Sequence, residues 1–149
     1  NTAVTSCFLD FNFVMGYWGK GAKRAYHHTA PVNTLYGLHE SLVMLTEEGL
    51  ESSWARHKEN HLLLRDGLSK LGINYLVDES SRLPQLNSVY IPDESDDAKV
   101  RSSLMNDFNI EIGAGLGDLA GQIWRIGLMG HTSRKENVEF CLSALKKAL

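Results

Sequence analysis

A chain of 149 residues with 43% apolar and 22% charged side chains has the make-up of an ordinary globular protein, long enough for one domain with a proper core. The formal charge of −3 leaves no basic footprint for nucleic acid. No apolar stretch approaches the roughly 18 residues needed to cross a bilayer, and no signal peptide opens the chain, so the expectation is a soluble intracellular protein without a membrane partner.

Asn1-Thr2-Ala3-Val4 reads as the interior of a longer sequence. Residues 8–18, Phe8 to Trp18, are densely apolar and predict a short buried helix, stopped by Gly19 and Gly21 with Lys20, Lys23 and Arg24 in a loop. Tyr26-His27-His28-Thr29-Ala30-Pro31 then leads into a helix predicted over 30–48, with Thr29 as its N-cap and Pro31 in the first turn. Val32, Leu35, Tyr36, His39, Leu42, Val43 and Thr46 follow helical spacing. The hydroxyls of Tyr26 and Thr29 thus come to a helix start, where backbone N–H groups favour a phosphate. A capped helix with no ligand is the commoner outcome of that pattern. After Gly49 a second helix is predicted from Leu50 to Leu71, with Leu50, Trp54, His57, His61, Leu64, Leu68 and Leu71 on one stripe and Gly72 as its stop.

Past Gly72 the period changes. Ile73–Val77 and Leu86–Ile91 read as strands, and the acidic group Asp93, Glu94, Asp96 and Asp97 opens a helix through Val100, Leu104 and Phe108. Ile110–Ile112 and Gln122–Leu128 read as further strands. The last helix opens on Ser133-Arg134-Lys135-Glu136, a capping box, and turns Val138, Cys141, Leu142 and Leu145 inward. The order β-β-α-β-β-α implies an α+β layer with helices on one face of a mostly antiparallel sheet.

Arg125 stands out among the side chains. Alternation along Ile123-Trp124-Arg125-Ile126-Gly127-Leu128 puts it on the face of Ile123 and Gly127, away from Trp124, Ile126 and Leu128. A planar guanidinium there suits a small carboxylate held by two hydrogen bonds; a structural ion pair is the equal alternative. Four other patterns carry less. Gly115-x-Gly117-x-x-Ala120 imitates a dinucleotide fingerprint but leads to a strand instead of a helix, so a flexible connection is expected. His57 and His61 have a metal-ligand spacing without a third ligand, which points to core histidines and no metal. Cys7 and Cys141 form no CxxC pattern and read as buried thiols, and no nucleophile motif accompanies His27 and His28.

Taken together, Tyr26-His27-His28-Thr29-x-Pro31-Val32, Leu35-Tyr36-x-Leu38-x-Glu40-Ser41-Leu42, Glu48-Gly49-Leu50-Glu51-x-Ser53-Trp54 and Arg125-Ile126-Gly127-Leu128-x-Gly130 closely resemble the alanine–glyoxylate and serine–pyruvate aminotransferases. These are pyridoxal-phosphate enzymes of class V and fold type I. The resemblance implies that Tyr26 and Thr29 bind the phosphate of pyridoxal 5'-phosphate, reaching across a homodimer, and that Arg125 grips the substrate carboxylate. It also implies that residues 1–72 are the end of the large cofactor domain with its connecting helices, and 73–149 the small C-terminal domain. The Schiff-base lysine is absent: relatives carry it in a Ser-x-Gln-Lys type segment well upstream, a context that none of Lys20, Lys23, Lys58, Lys70, Lys99, Lys135, Lys146 and Lys147 has. No catalytic residue is therefore assigned. The expectation is the C-terminal portion of an aminotransferase, inactive alone, whose full-length form moves an amino group from alanine or serine to glyoxylate or a pyruvate-like 2-oxo acid. Alternatives are a non-catalytic α+β interaction module, or another class V enzyme such as a ureidoglycine–glyoxylate aminotransferase or a cysteine desulfurase. The compartment expected is the cytoplasm for a bacterial protein and the peroxisome or mitochondrion for an animal one.

Overall fold

Long helices fill the middle of the chain, and a small antiparallel sheet backed by three helices fills its second half. The computed structural model describes residues 4–17, 21 and 26–149. Two compact units divide it, residues 1–47 and 48–149.

In the first unit, single 3-10 turns at Cys7–Leu9 and Met15–Tyr17 flank a one-turn helix, α1 (Phe11–Val14). The buried helix predicted over 8–18 does not form. Asp10 is extended, with φ −82° and ψ 106°, and caps α1 by accepting from Asn12 N at 2.9 Å, which cuts the apolar run in two. Phe8, Phe11 and Phe13 stay exposed. Trp18, Gly19, Lys20, Lys23 and Arg24 lie outside the described residues.

Helix α2 (Val32–Glu48) begins two residues later than predicted. Ala30 O accepts from Val32 N at 2.8 Å and Pro31 O from Leu35 N at 3.0 Å. That tight turn through Pro31 separates Thr29 from the helix, so Thr29 is not the N-cap. No residue of α2 is buried, and Leu35, Tyr36, Leu38 and Leu42 are exposed.

The second unit opens with α3 (Leu50–Lys70), set off by Gly49 at φ 84° and by Gly72 at φ 75°. Both glycines take left-handed backbone that a side chain resists. The predicted stripe is buried from His57 through His61, Leu64 and Leu68, whereas Leu50 and Trp54 at its start are exposed. The second compact unit starts at Glu48 and holds α3 together with the sheet. The cause is packing: Leu64 and Leu68 share one core with the sheet and the last two helices.

The sheet has the order β1 (Leu86–Tyr90), β3 (Ile123–Gly127), β2 (Gly113–Ala114), antiparallel throughout. Ile73–Val77 is only a bridge along β1, through Tyr75 and Val89, with Leu76 N donating to Ser88 O and Asn74 O accepting from Tyr90 N. Ile110–Ile112 is not a strand. Asn109, left-handed at φ 54°, ends α4 (Asp97–Phe108), and Leu104 O takes the Ile110 N–H, so pairing starts only at Gly113. Asp96 caps α4 from its side chain, accepting from Lys99 N at 3.0 Å. The capping box is overturned: α5 (Lys135–Ala148) has Arg134 as its N-cap and no side-chain cap. Ser133 is engaged elsewhere, its carbonyl accepting from Asn60 Nδ2 at 2.8 Å and Arg56 Nη1 at 2.6 Å. Trp124, Val89, Leu104, Val138 and Leu145 complete the core, with Trp124 fully buried. No helix among the described residues is long and apolar enough to cross a membrane.

Candidate functional site

Pairing on both sides of β3 decides what surrounds Arg125. Its cross-strand neighbours are Ser88 on β1 and Gly113 on β2, so two small residues leave the long side chain room along the sheet. The guanidinium donates from Nε to Ala114 O at 2.8 Å. A Cβ on Gly113 would stand 3.3 Å from Nη2, closer than anything at Gly127, whose own Cβ would meet only Met129 Cε at 3.9 Å. Gly113, which the alternation along one strand cannot reveal, is thus the glycine beside Arg125. The side chain is half-buried and, among the described residues, pairs with no carboxylate, so the ion-pair alternative is not realised. One edge of the guanidinium is fixed, and the Nη donors keep the fork that matches a carboxylate.

The opposite face of the same strands is closed by polar bonds within the core. Asn87, paired with Ile126, accepts at Oδ1 from Tyr75 Oη at 2.9 Å and bonds His61 Nδ1 at 2.7 Å. Its Nδ2 donates to Pro84 O and Ile126 O, each at 3.3 Å. Burial pushes the Tyr75 hydroxyl up to about 12, with Arg82 over its ring opposing. A turn earlier on α3, His57 Nδ1 bonds Ser53 O at 2.6 Å and Nε2 accepts from Gly130 N at 3.1 Å, which fixes the Nδ1–H tautomer. Arg56 ties Glu48 to the Gly130 and Ser133 carbonyls. Both histidines therefore work as bonded core residues, and their spacing reflects one buried helix face.

Tyr26 and Thr29 lie in the first unit, on either side of a His27–His28 bend. Tyr26 is 90% exposed and Thr29 is exposed, and neither hydroxyl makes a hydrogen bond among the described residues. The segment rests on an aromatic pad. Phe8 packs on His28 with centroids 4.7 Å apart, Phe13 stacks on His27 at 5.3 Å, and Tyr17 meets Tyr26 edge-on at 6.3 Å. This gives the apolar run over 8–17 its place: it supports the Tyr-His-His-Thr segment. Tyr17 adds bonds that the sequence does not announce, donating to His28 O at 2.7 Å and accepting from His27 N at 2.8 Å and His28 N at 2.9 Å. Two ring nitrogens here, His27 Nε2 and His28 Nδ1, are buried without a partner. The exposed hydroxyls of Tyr26 and Thr29, free of protein partners among the described residues, are donors that fit a phosphate.

The glycine run behaves as a connection between β2 and β3. Its 3-10 turn, Gly117–Leu119, folds back until a Cβ on Gly115 would stand 1.9 Å from Leu119 O, and no helix begins there. Cys141 is buried, and burial pushes its thiol up to about 11. Cys7, read as buried, is exposed because the run around it forms surface turns; its Sγ is 4.0 Å from His27 Nδ1.

No protein-family model matches the chain. It is 42% identical over 150 residues to an alanine–glyoxylate aminotransferase of Callithrix jacchus, covering 99% of this chain and 36% of that protein. An (S)-ureidoglycine–glyoxylate transaminase of Bacillus subtilis is 39% identical over 149 residues, covering 100% of this chain and 35% of the relative. Among solved structures, an alanine–glyoxylate aminotransferase from Nostoc sp. superposes with a TM-score of 0.90 at 44% identity, over 99% of this chain and 39% of that one. The chain thus spans little more than a third of the length of the relatives it matches.

Proposed function

The chain belongs to the class V, fold type I aminotransferases, matched along their C-terminal part, and on that premise we propose that the whole protein transfers an amino group from alanine or serine to glyoxylate or a pyruvate-like 2-oxo acid. The observation that carries this reading is Arg125. Its guanidinium is tethered at Nε, has room beside Gly113 and, among the described residues, pairs with no carboxylate, which suits it to receive one from solution. Donor and acceptor acids alike carry an α-carboxylate, so one arginine orients both in turn.

Tyr26 and Thr29 would hold the phosphate of pyridoxal 5'-phosphate through their hydroxyls, contributed across a homodimer. That cofactor, when bound, supplies the electron-accepting ring on which amino groups are exchanged. None of the lysines of this chain has the context of the Schiff-base lysine that such chemistry needs, so no catalytic residue is assigned to these residues. A second reading of the amino donor is ureidoglycine, favoured by the similarity to the Bacillus subtilis transaminase.

Replacing Arg125 in the full-length protein tests the assignment. Loss of a charged hydrogen-bonding partner costs about 1.5–3 kcal/mol, so Arg125→Ala should lower kcat/KM for every carboxylate substrate by roughly 10- to 150-fold. Arg125→Lys should recover little, because an ammonium lacks the fork. Unchanged KM and kcat would remove Arg125 from the site. A donor panel of alanine, serine and ureidoglycine, each with glyoxylate, separates the two readings of the amino donor.

A further inference from the structure

We propose that Tyr17 is a positioning residue for the phosphate-binding hydroxyls, a role that rests on the assignment of Tyr26 and Thr29 above. A single phenolic oxygen takes the N–H of His27 at 2.8 Å and of His28 at 2.9 Å, and gives its proton to the carbonyl of His28 at 2.7 Å. Those three groups belong to three successive peptide units, 26–27, 27–28 and 28–29. Each unit is planar, so holding one polar atom in each fixes the orientation of all three. The first plane contains the Cα of Tyr26 and the last that of Thr29. One hydroxyl thereby sets both ends of the bend from which the two phosphate ligands project.

The surroundings leave that work to Tyr17. The Tyr26 and Thr29 side chains are exposed and make no hydrogen bonds of their own among the described residues, and the helix that follows begins only at Val32. Ring contacts from Phe8 and Phe13 hold the two imidazoles, but stacking is tolerant of sliding, whereas three short hydrogen bonds to the backbone are not. The phenol uses its proton and both lone pairs on this bend. Phenylalanine keeps the ring and its edge-on contact with Tyr26 while removing all three bonds.

The test is Tyr17→Phe in the full-length protein, beside Tyr26→Phe, with cofactor affinity measured by titrating the apoprotein with pyridoxal 5'-phosphate and, separately, with pyridoxal. Pyridoxal lacks the phosphate, so only the phosphate ligands separate the two constants. Tyr17→Phe should weaken pyridoxal 5'-phosphate about tenfold, the equivalent of one ordinary hydrogen bond, and leave pyridoxal unchanged. Amide hydrogen exchange at His27 and His28 should accelerate in the same variant. A general loss of stability would instead weaken both ligands equally, and that outcome overturns the positioning role. So does unchanged selectivity in Tyr17→Phe when Tyr26→Phe loses it. If Tyr26→Phe keeps wild-type selectivity, the phosphate assignment itself falls, and the role of Tyr17 with it.

Discussion

Truncating Asn87 to alanine is the sharpest test of how the sheet is held to α3. The side chain is 1% exposed and makes four hydrogen bonds, of which those with His61 and Tyr75, at 2.7 and 2.9 Å, are the short ones. Its two donations, to Pro84 O and Ile126 O, are longer at 3.3 Å, and carbonyls tolerate the loss of one partner better than an N–H does. After truncation the Tyr75 hydroxyl, half-buried, finds water, but His61 is 7% exposed and its Nδ1–H is left with nothing. An unsatisfied buried donor costs about 1–3 kcal/mol, and the small cavity adds roughly 1 kcal/mol, so about 2–4 kcal/mol is expected. Urea denaturation of wild type and variant reads this as a lower midpoint at unchanged slope. Pairing Asn87→Leu with His61→Leu should recover part of the loss, because removing both partners removes the orphan. A midpoint for Asn87→Ala that implies less than about 0.5 kcal/mol would show that the network is solvated and refute the reasoning.

Gly115→Ala should destabilise by about 1–3 kcal/mol, since the new Cβ would stand 1.9 Å from the Leu119 carbonyl oxygen and only a backbone shift relieves it; a denaturation midpoint equal to wild type would contradict that contact. The Arg101 ion pair, helped by the Trp124 indole N–H, holds the Asp97 carboxyl below its usual 3.8. A depressed carboxylate stabilises the fold above its ordinary value and ceases to as pH falls through the lowered one, so Asp97→Asn should flatten the loss of stability below about pH 4, read from urea midpoints at pH 7 and pH 3. Brief alkylation with iodoacetamide followed by peptide mass mapping should label exposed Cys7 and spare Cys141, whose thiol burial pushes up to about 11, until denaturant is added.

Helices, their glycine stops and the helix-and-sheet character of the second half were legible because periodicity and capping are local: α3 ends within a residue of the expected Leu71, and Gly49 and Gly72 punctuate it as read. Strand limits were less so, since Ile73–Val77 and Ile110–Ile112 have strand-like composition but find no full ladder to pair with. The capping box failed for a tertiary reason. Ser133 carries a suitable side chain, yet the demand of Asn60 and Arg56 for its carbonyl shifts the helix start by one residue. Within the site, Arg125 could be found from alternation along its own strand, whereas Gly113 and Ser88 beside it depend on register, which a single strand does not encode. Tyr17 left no local signal at all, because its three bonds go to backbone atoms ten and eleven residues away.

With Arg125 proposed as the carboxylate anchor, the pleat of β1 and β3 would separate stability from recognition in a way that experiment can exploit. Asn87 pairs with Ile126 and faces the core, while Ser88 pairs with Arg125 and faces the other side. Adjacent residues on one strand thus serve opposite faces, and only the intervening backbone connects them. The tether of Arg125 runs to Ala114 O on β2, not to β1, so loosening the Asn87 network leaves that hydrogen bond and the room beside Gly113 in place. Asn87→Ala should therefore lower the denaturation midpoint while keeping KM for carboxylate substrates near wild type at a temperature where the variant is folded. Arg125→Ala should do the reverse, since a half-buried arginine with one neutral hydrogen bond contributes little to folding. Were KM to rise in both variants together, the guanidinium would be held through β1 and the core, and its independence from the Asn87 network would fail.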